Sequence, residues 1–246
     1  MKSIRLLAPL LAFAAIGFAK DFQQSAPLGA GGRVTLDNYK GSIRISTWDQ
    51  STVDVQVHIE ADGTSPQDQE LVDATEIEFR PSGNAVDIRT RYPKHRFDNV
   101  SLPIVRYTIR MPRTAELRVK DYKSDIEIDG VAARLDLETY KGSINVRHHA
   151  GELQVKTYKS EARVEFARYT GPATLETYRG SYDITMPRDA KFDIRSDVGR
   201  KGVLQSSFPV TLPAGSSTDG KVTRASVNGG GPALSLSAYR GEFRIH

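Results

Sequence analysis

The chain has 246 residues, no cysteine, and 34 basic against 30 acidic side chains. Without cysteine there is no disulfide framework and no thiolate metal centre, so packing and strand ladders must carry the stability. A net charge of +4 is also too small to point to nucleic acid as a partner.

Lys2 and Arg5 precede an apolar run from Leu6 to Phe18, broken only by Pro9 and Gly17. Gly17-Phe18-Ala19 then suits cleavage before Lys20, and the pattern predicts a signal peptide over 1–19. The run is shorter than the roughly 20 residues a membrane-spanning helix needs; the alternative is a buried N-terminal helix. No later stretch approaches spanning length, and no cysteine follows to accept a lipid. The expected product is exported, periplasmic or extracellular at the cell surface, with no transmembrane segment in the mature chain. Cleavage removes two basic residues and no acidic ones, leaving residues 20–246 close to neutral.

Residues 20–112 read as irregular, longer strands joined by hairpins. Val53-x-Val55-x-Val57-x-Ile59, Ile77-x-Phe79, Val86-x-Ile88 and Val105-x-Tyr107-x-Ile109 alternate with period two, the pattern of a half-buried strand. Asp62 to Gln69 and Pro93 to Asn99 read as loose connections, and no helical period of useful length follows the leader. A separate small domain here is the alternative to one continuous domain over 20–246.

From residue 113 to 246 the pattern becomes regular, built on a tyrosine, then Lys or Arg, then Gly or Ser. The six copies are Tyr39-Lys40, Tyr122-Lys123, Tyr140-Lys141, Tyr158-Lys159, Tyr178-Arg179 and Tyr239-Arg240. The four central copies lie 18, 18 and 20 residues apart. Alternating runs flank each one, as in Leu117-x-Val119 before and Ile126-x-Ile128 after, and glycines close the units at Gly130, Gly151 and Gly171. Such a unit is too small to bury its own apolar face and must stack. The predicted fold is all-β, a parallel β-solenoid or β-helix with rungs of about 18–20 residues and a C-terminal cap. A longer echo, Tyr107-to-Pro112 against Tyr182-to-Pro187, spans close to four units.

Stacking constrains charge, because equivalent residues then lie about 4.8 Å apart. Two residues before the central tyrosines stand Lys120, Glu138, Lys156 and Glu176, so neighbours alternate in sign. The position after the tyrosine does not alternate: Lys123, Lys141, Lys159 and Arg179 form a like-charge column. Each adjacent pair costs about 1 kcal/mol in water. Asp125 and Glu161 offset part of this, and an anionic ligand would relieve the rest. The tyrosines are expected to form an aromatic ladder that stabilises the stack. As a strip of ring faces edged by cations, the ladder also suits sugars, carboxylates or phosphates.

The opening Val34-x-Leu36-x-Asn38-x-x-Gly41-x-Ile43-x-Ile45-x-x-Trp48 resembles the start of bacterial exported β-strand-repeat proteins of unknown function. These carry an adhesin label and are similar to the head domain of auto-transporter adhesins. Val227-Asn228-Gly229-Gly230-Gly231-Pro232, with Gly241-x-Phe243-x-Ile245, is similar to that family's last unit. The chain departs from it where Lys or Arg precedes Gly or Ser in place of Asn-Gly turns. The resemblance implies an exported β-solenoid and supplies no catalytic residues.

Chemistry is otherwise sparse. His148 and His149 are adjacent and should point to opposite faces of a strand, which does not suit one metal. No His-Glu-x-x-His, Gly-x-Ser-x-Gly or phosphate loop is present, and Gly229 to Gly231 reads as a turn. No catalytic, cofactor-binding or metal residues are therefore assigned. The sequence favours a non-catalytic, adhesin-like binding or structural module of the cell envelope. Its expected partner is an anionic or glycan surface polymer held by the Tyr-Lys/Arg ladder, or an envelope protein recruited to an open strand edge. The alternative is a polysaccharide-lyase-type enzyme on a β-helix, an analogy of fold alone.

Overall fold

The computed structural model describes residues 19–94, 101–199, 201–212 and 223–246. The expected leader lies outside these residues except for Ala19, as does His95 and most of the stretch from Pro93 to Asn99. In chain order the N-terminal elements are β1 (Ala19–Pro27), β2 (Arg33–Asp37), β3 (Lys40–Trp48), β4 (Thr52–Glu60), α1 (Pro66–Ala74), β5 (Glu76–Ser82), β6 (Ala85–Arg91) and β7 (Ile104–Pro112). The longest strands follow: β8 (Glu116–Asp129), β9 (Leu135–His149), β10 (Leu153–Phe166) and β11 (Ala173–Thr185). The last are β12 (Phe192–Asp197), β13 (Val203–Ser206), β14 (Val210–Thr211), β15 (Thr223–Val227) and β16 (Ala233–Ile245).

The long strands are bent, and their sequence explains the bend. In β8 the buried positions are Leu117, Val119 and Asp121, then Ser124, Ile126 and Ile128; Tyr122 and Lys123 between them both face out. Two outward residues in succession shift the alternation by one, so the strand turns a corner without leaving the sheet. Both arms thereby bury their apolar side chains in one shared core. A short return closes the unit, with Gly130 at φ 83° and the Leu117 amide donating to the Arg134 carbonyl.

Neighbouring bent strands pair in parallel and in register. Leu117 lies beside Leu135, Leu135 beside Leu153, Leu153 beside Ala173, and Ala173 beside Leu234. The second arm repeats this in one buried column running from Tyr107 through Ile43, Ile126, Ile144, Ala162 and Tyr182 to Phe243. Tyr107 and Tyr182, the two members of the long echo, thus occupy equivalent inner positions, and both are fully buried.

The fold is all-β and β-solenoid-like, with an open sheet that mixes parallel and antiparallel pairs. The irregular N-terminal strands supply the antiparallel part: β5 pairs with β6, and β4 lies between β1 and β7. Together β2 and β3 imitate one bent strand against β8. Chain order and spatial order agree from β8 to β11, but β16 inserts between β11 and β12.

The expectation of a loose, helix-free stretch from Asp62 to Gln69 is corrected by α1. Ser65 caps it: the Ser65 hydroxyl accepts from the Asp68 amide at 3.2 Å, and the Asp68 carboxylate accepts from the Ser65 amide at 2.8 Å. Pro66 sits in the first turn, where its missing N–H costs nothing. The helix buries only Leu71 and Val72 as apolar anchors, and two adjacent residues carry no helical period.

Small residues at the corner let the strands approach. Gly142 has φ 133°, and a Cβ there would stand 2.0 Å from the Ser124 carbonyl oxygen of the neighbouring strand. Gly142→Ala should therefore lower stability by about 2–4 kcal/mol through backbone strain and overpacking. Ser160→Ala, which removes a buried hydroxyl with no hydrogen-bond partner among the described residues, should stay within about 1 kcal/mol. Urea unfolding followed by circular dichroism measures both.

Candidate functional site

All six motif tyrosines stand in one column on the outside of the corner. Successive rings from Tyr39 through Tyr122, Tyr140, Tyr158 and Tyr178 to Tyr239 stack at 4.6–4.9 Å between centroids, 5–7° from parallel. Each interior ring is therefore covered on both faces by its neighbours. The strip of ring faces expected from the sequence is instead a strip of edges and hydroxyls. At one end Tyr92 closes the ladder edge-on against Tyr39, at 6.0 Å and 72°. A groove runs alongside, walled by the ring edges on one flank and by Lys120, Glu138, Lys156 and Glu176 on the other.

That second wall has the expected alternation. Register places Glu138 between Lys120 and Lys156, Glu176 beyond Lys156, and Asp37 on the far side of Lys120. The column on the other flank of the tyrosines does not alternate. Lys40, Lys123, Lys141, Lys159, Arg179 and Arg240 follow one another in register on six neighbouring strands.

Only the first of the six cations has an ion-pair partner among the described residues. Lys40 contacts the Asp62 carboxylate at 2.5 Å, and this hydrogen bond holds Asp62 below the usual carboxylate range. The remaining five have none among the described residues, and four of them are exposed. Asp125, expected to offset the column, instead accepts from the Ser143 hydroxyl at 2.6 Å and from its amide at 3.2 Å. Arg179 and Arg240 place their guanidinium groups 5.5 and 5.6 Å from the rings of Tyr178 and Tyr239.

Directly beneath the corner lies a polar interior. Asp121 is buried, and its carboxylate accepts from Ser124 at 2.7 Å and from Asn38 and Thr139 at 3.3 Å. Asn38 in turn accepts from Thr90 at 2.9 Å. The sequence carried the signal for this: the position before the motif tyrosine reads Asp121, then Thr139, Thr157 and Thr177. Burial raises the Asp121 pKa to about 6, against the pull of its three donors.

The histidine pair splits to opposite sides, as expected, but at an irregularity in the end of β9 and not by plain alternation. His148, at φ 52°, faces out and meets Asp129 at 2.8 Å, which raises its pKa. His149 is buried edge-on against Phe166, and desolvation lowers its pKa. Among the described residues no cluster of three or more His, Asp or Glu side chains is placed to hold a metal. No helix among them is long and apolar enough to cross a membrane.

A family model described as Toastrack DUF4097 matches residues 32–201. A solved structure described as a putative cell adhesion protein, from Clostridium sporogenes, superposes with a TM-score of 0.51 at 13% identity, over 92% of this chain and 99% of that one. A putative adhesin from Bacteroides fragilis gives 0.43 at 14% identity, over 92% of this chain and 97% of that one. No curated protein is significantly similar in sequence.

Asp121 gives the fold a definite pH dependence. Its pKa lies near 6 when folded and near 3.8 when exposed, so between these values the folded chain retains a proton the unfolded chain has lost. Stability contributed by this group therefore falls as pH rises through that window, by at most about 3 kcal/mol. Asp121→Asn should raise the melting temperature at pH 7.5 and lose that advantage by pH 4. Thermal melts of both proteins across that range read the difference.

Proposed function

The chain belongs to the Toastrack DUF4097 family, and on that footing we propose an exported, non-catalytic, adhesin-like binding module of the cell envelope. Its ligand is an anionic polymer, lying along the corner of a solenoid whose rungs are 18–20 residues long. The observation that carries this reading is the cation column. Five basic side chains lie in register with no ion-pair partner among the described residues, while the column two residues before the tyrosine alternates in sign.

Physical chemistry sets the ligand class. Like charges one rung apart repel by about 1 kcal/mol per pair in water, and a polymer with one negative charge every ~5 Å would relieve each contact. Stacked phenols add to this, since ring edges are the electropositive part of the quadrupole and each exposed hydroxyl can donate. The interior rings offer no free face, so carboxylate or phosphate recognition is favoured over face-stacked neutral sugar. A repeated array also multiplies weak contacts on one chain, which suits retention more than a single reaction centre. Export rests on the basic start and apolar run of residues 1–19. The adhesion name of the Clostridium sporogenes protein agrees with this reading, on likeness of fold alone.

Binding to immobilised polygalacturonate, with neutral dextran as control, tests the proposal. Wild-type protein should be retained on polygalacturonate at low salt and not on dextran. The triple variant Lys123→Glu, Lys141→Glu, Lys159→Glu should pass through with an unchanged circular-dichroism spectrum. Retention of the folded triple variant rules the cation column out, and unsaturated products in the eluate would favour the lyase reading.

A further inference from the structure

The ladder is closed at one end and open at the other. Tyr92 covers the outer side of Tyr39, whereas Tyr239 is the most exposed of the six at 57%, against 39–41% for Tyr39, Tyr122 and Tyr140. Topology explains the difference. Beyond β16 the next neighbours are β12 and β13, whose connection begins Val198-Gly199 and contains no tyrosine.

Gly199 keeps the end open. It follows Asp197, which pairs with Ser237, by two residues, so it takes the place beside Tyr239 that a seventh ring would need. Its φ is 62°, and a Cβ there would stand 3.1 Å from the Tyr239 carbonyl oxygen. Both the left-handed conformation and the tight space disfavour a side chain at that position. With its inner face stacked on Tyr178, the Tyr239 ring has no aromatic neighbour on its outer side among the described residues.

A cation stands against that ring. The Arg240 guanidinium lies 5.6 Å from the ring centroid, and its Nε is buried with no hydrogen-bond partner among the described residues. A ligand that fills this place needs a ring with apolar C–H groups on one face and an anionic substituent at its edge. A uronic-acid pyranose has both.

We propose that the outer face of Tyr239 is a subsite for the terminal pyranose of an acidic glycan, with the sugar carboxylate paired to Arg240. This rests on the polymer reading above and adds a polarity to it: the chain end stacks at Tyr239 and the rest runs toward Tyr39. The interior ladder grips charge, and the end ring grips the sugar itself.

Calorimetric titration of the full chain with tetragalacturonate, with uncharged galactotetraose as control, tests this together with proton NMR of the bound sugar. In the wild type, ring protons of the terminal sugar should move upfield, as they do only over an aromatic face. Tyr239→Phe keeps the face and should retain both the affinity and the shift. Tyr239→Ala should abolish the shift and weaken binding about tenfold, the scale of one aromatic contact. Unchanged binding by Tyr239→Ala, or no upfield shift in the wild type, overturns the subsite. In that event loss of binding in the Lys123→Glu, Lys141→Glu, Lys159→Glu variant would still leave the column standing, so the two proposals fail separately.

Discussion

Parallel pairing in register places each side chain beside its counterpart on the next strand, and every other property of this protein follows from that. At a spacing of 4.6–4.9 Å, whatever occupies a position is repeated as a column. Apolar residues gain from this, since a column of Ile and Leu packs continuously. Aromatic rings gain too, because stacked faces bury one another. Charges lose unless they alternate. The outer surface of the long strands obeys that limit at Lys120, Glu138, Lys156 and Glu176, and departs from it at the cations that follow the tyrosines.

The corner makes the departure possible. Because two residues in succession face outward, the tyrosine and the cation project from the same ridge on opposite flanks. Inside the ridge, space is short, which is why Gly142 meets the carbonyl of Ser124 and why Ser, Thr and Gly fill the inner positions. Asp121 is the exception, and its raised pKa is the cost of placing a carboxylate where the three following strands have threonine. Stability and the proposed binding therefore draw on one local geometry, with the apolar and polar interior beneath it and the charged column above.

Much of this was legible in the residues. The spacing of the tyrosines identifies the stack, and the alternation of Lys120 with Glu138 gives its register. Less was legible where contacts join distant segments. Nothing in the spacing says that β3 lies against β8, or that β16 slips between β11 and β12. The pairing of Lys40 with Asp62 and the capping of the ladder by Tyr92 depend on those long-range placements. The helix at Pro66–Ala74 was missed because its signal is a cap, not a period. Ring orientation escaped for a different reason: the repeat spacing predicts that tyrosines stack, but only the structure shows that stacking hides their faces.

If a polyanion is held by successive members of the cation column, the salt dependence of its binding is the most direct measure of that grip. Each cation that engages an anionic chain releases counterions, so the logarithm of affinity falls linearly with the logarithm of salt, with a slope set by the number engaged. Titration of polygalacturonate against wild type, Lys141→Gln, and the double and triple variants that add Lys123→Gln and Lys159→Gln should show a slope that becomes shallower at each substitution. A slope that is the same in all four proteins would mean that the column does not hold the ligand.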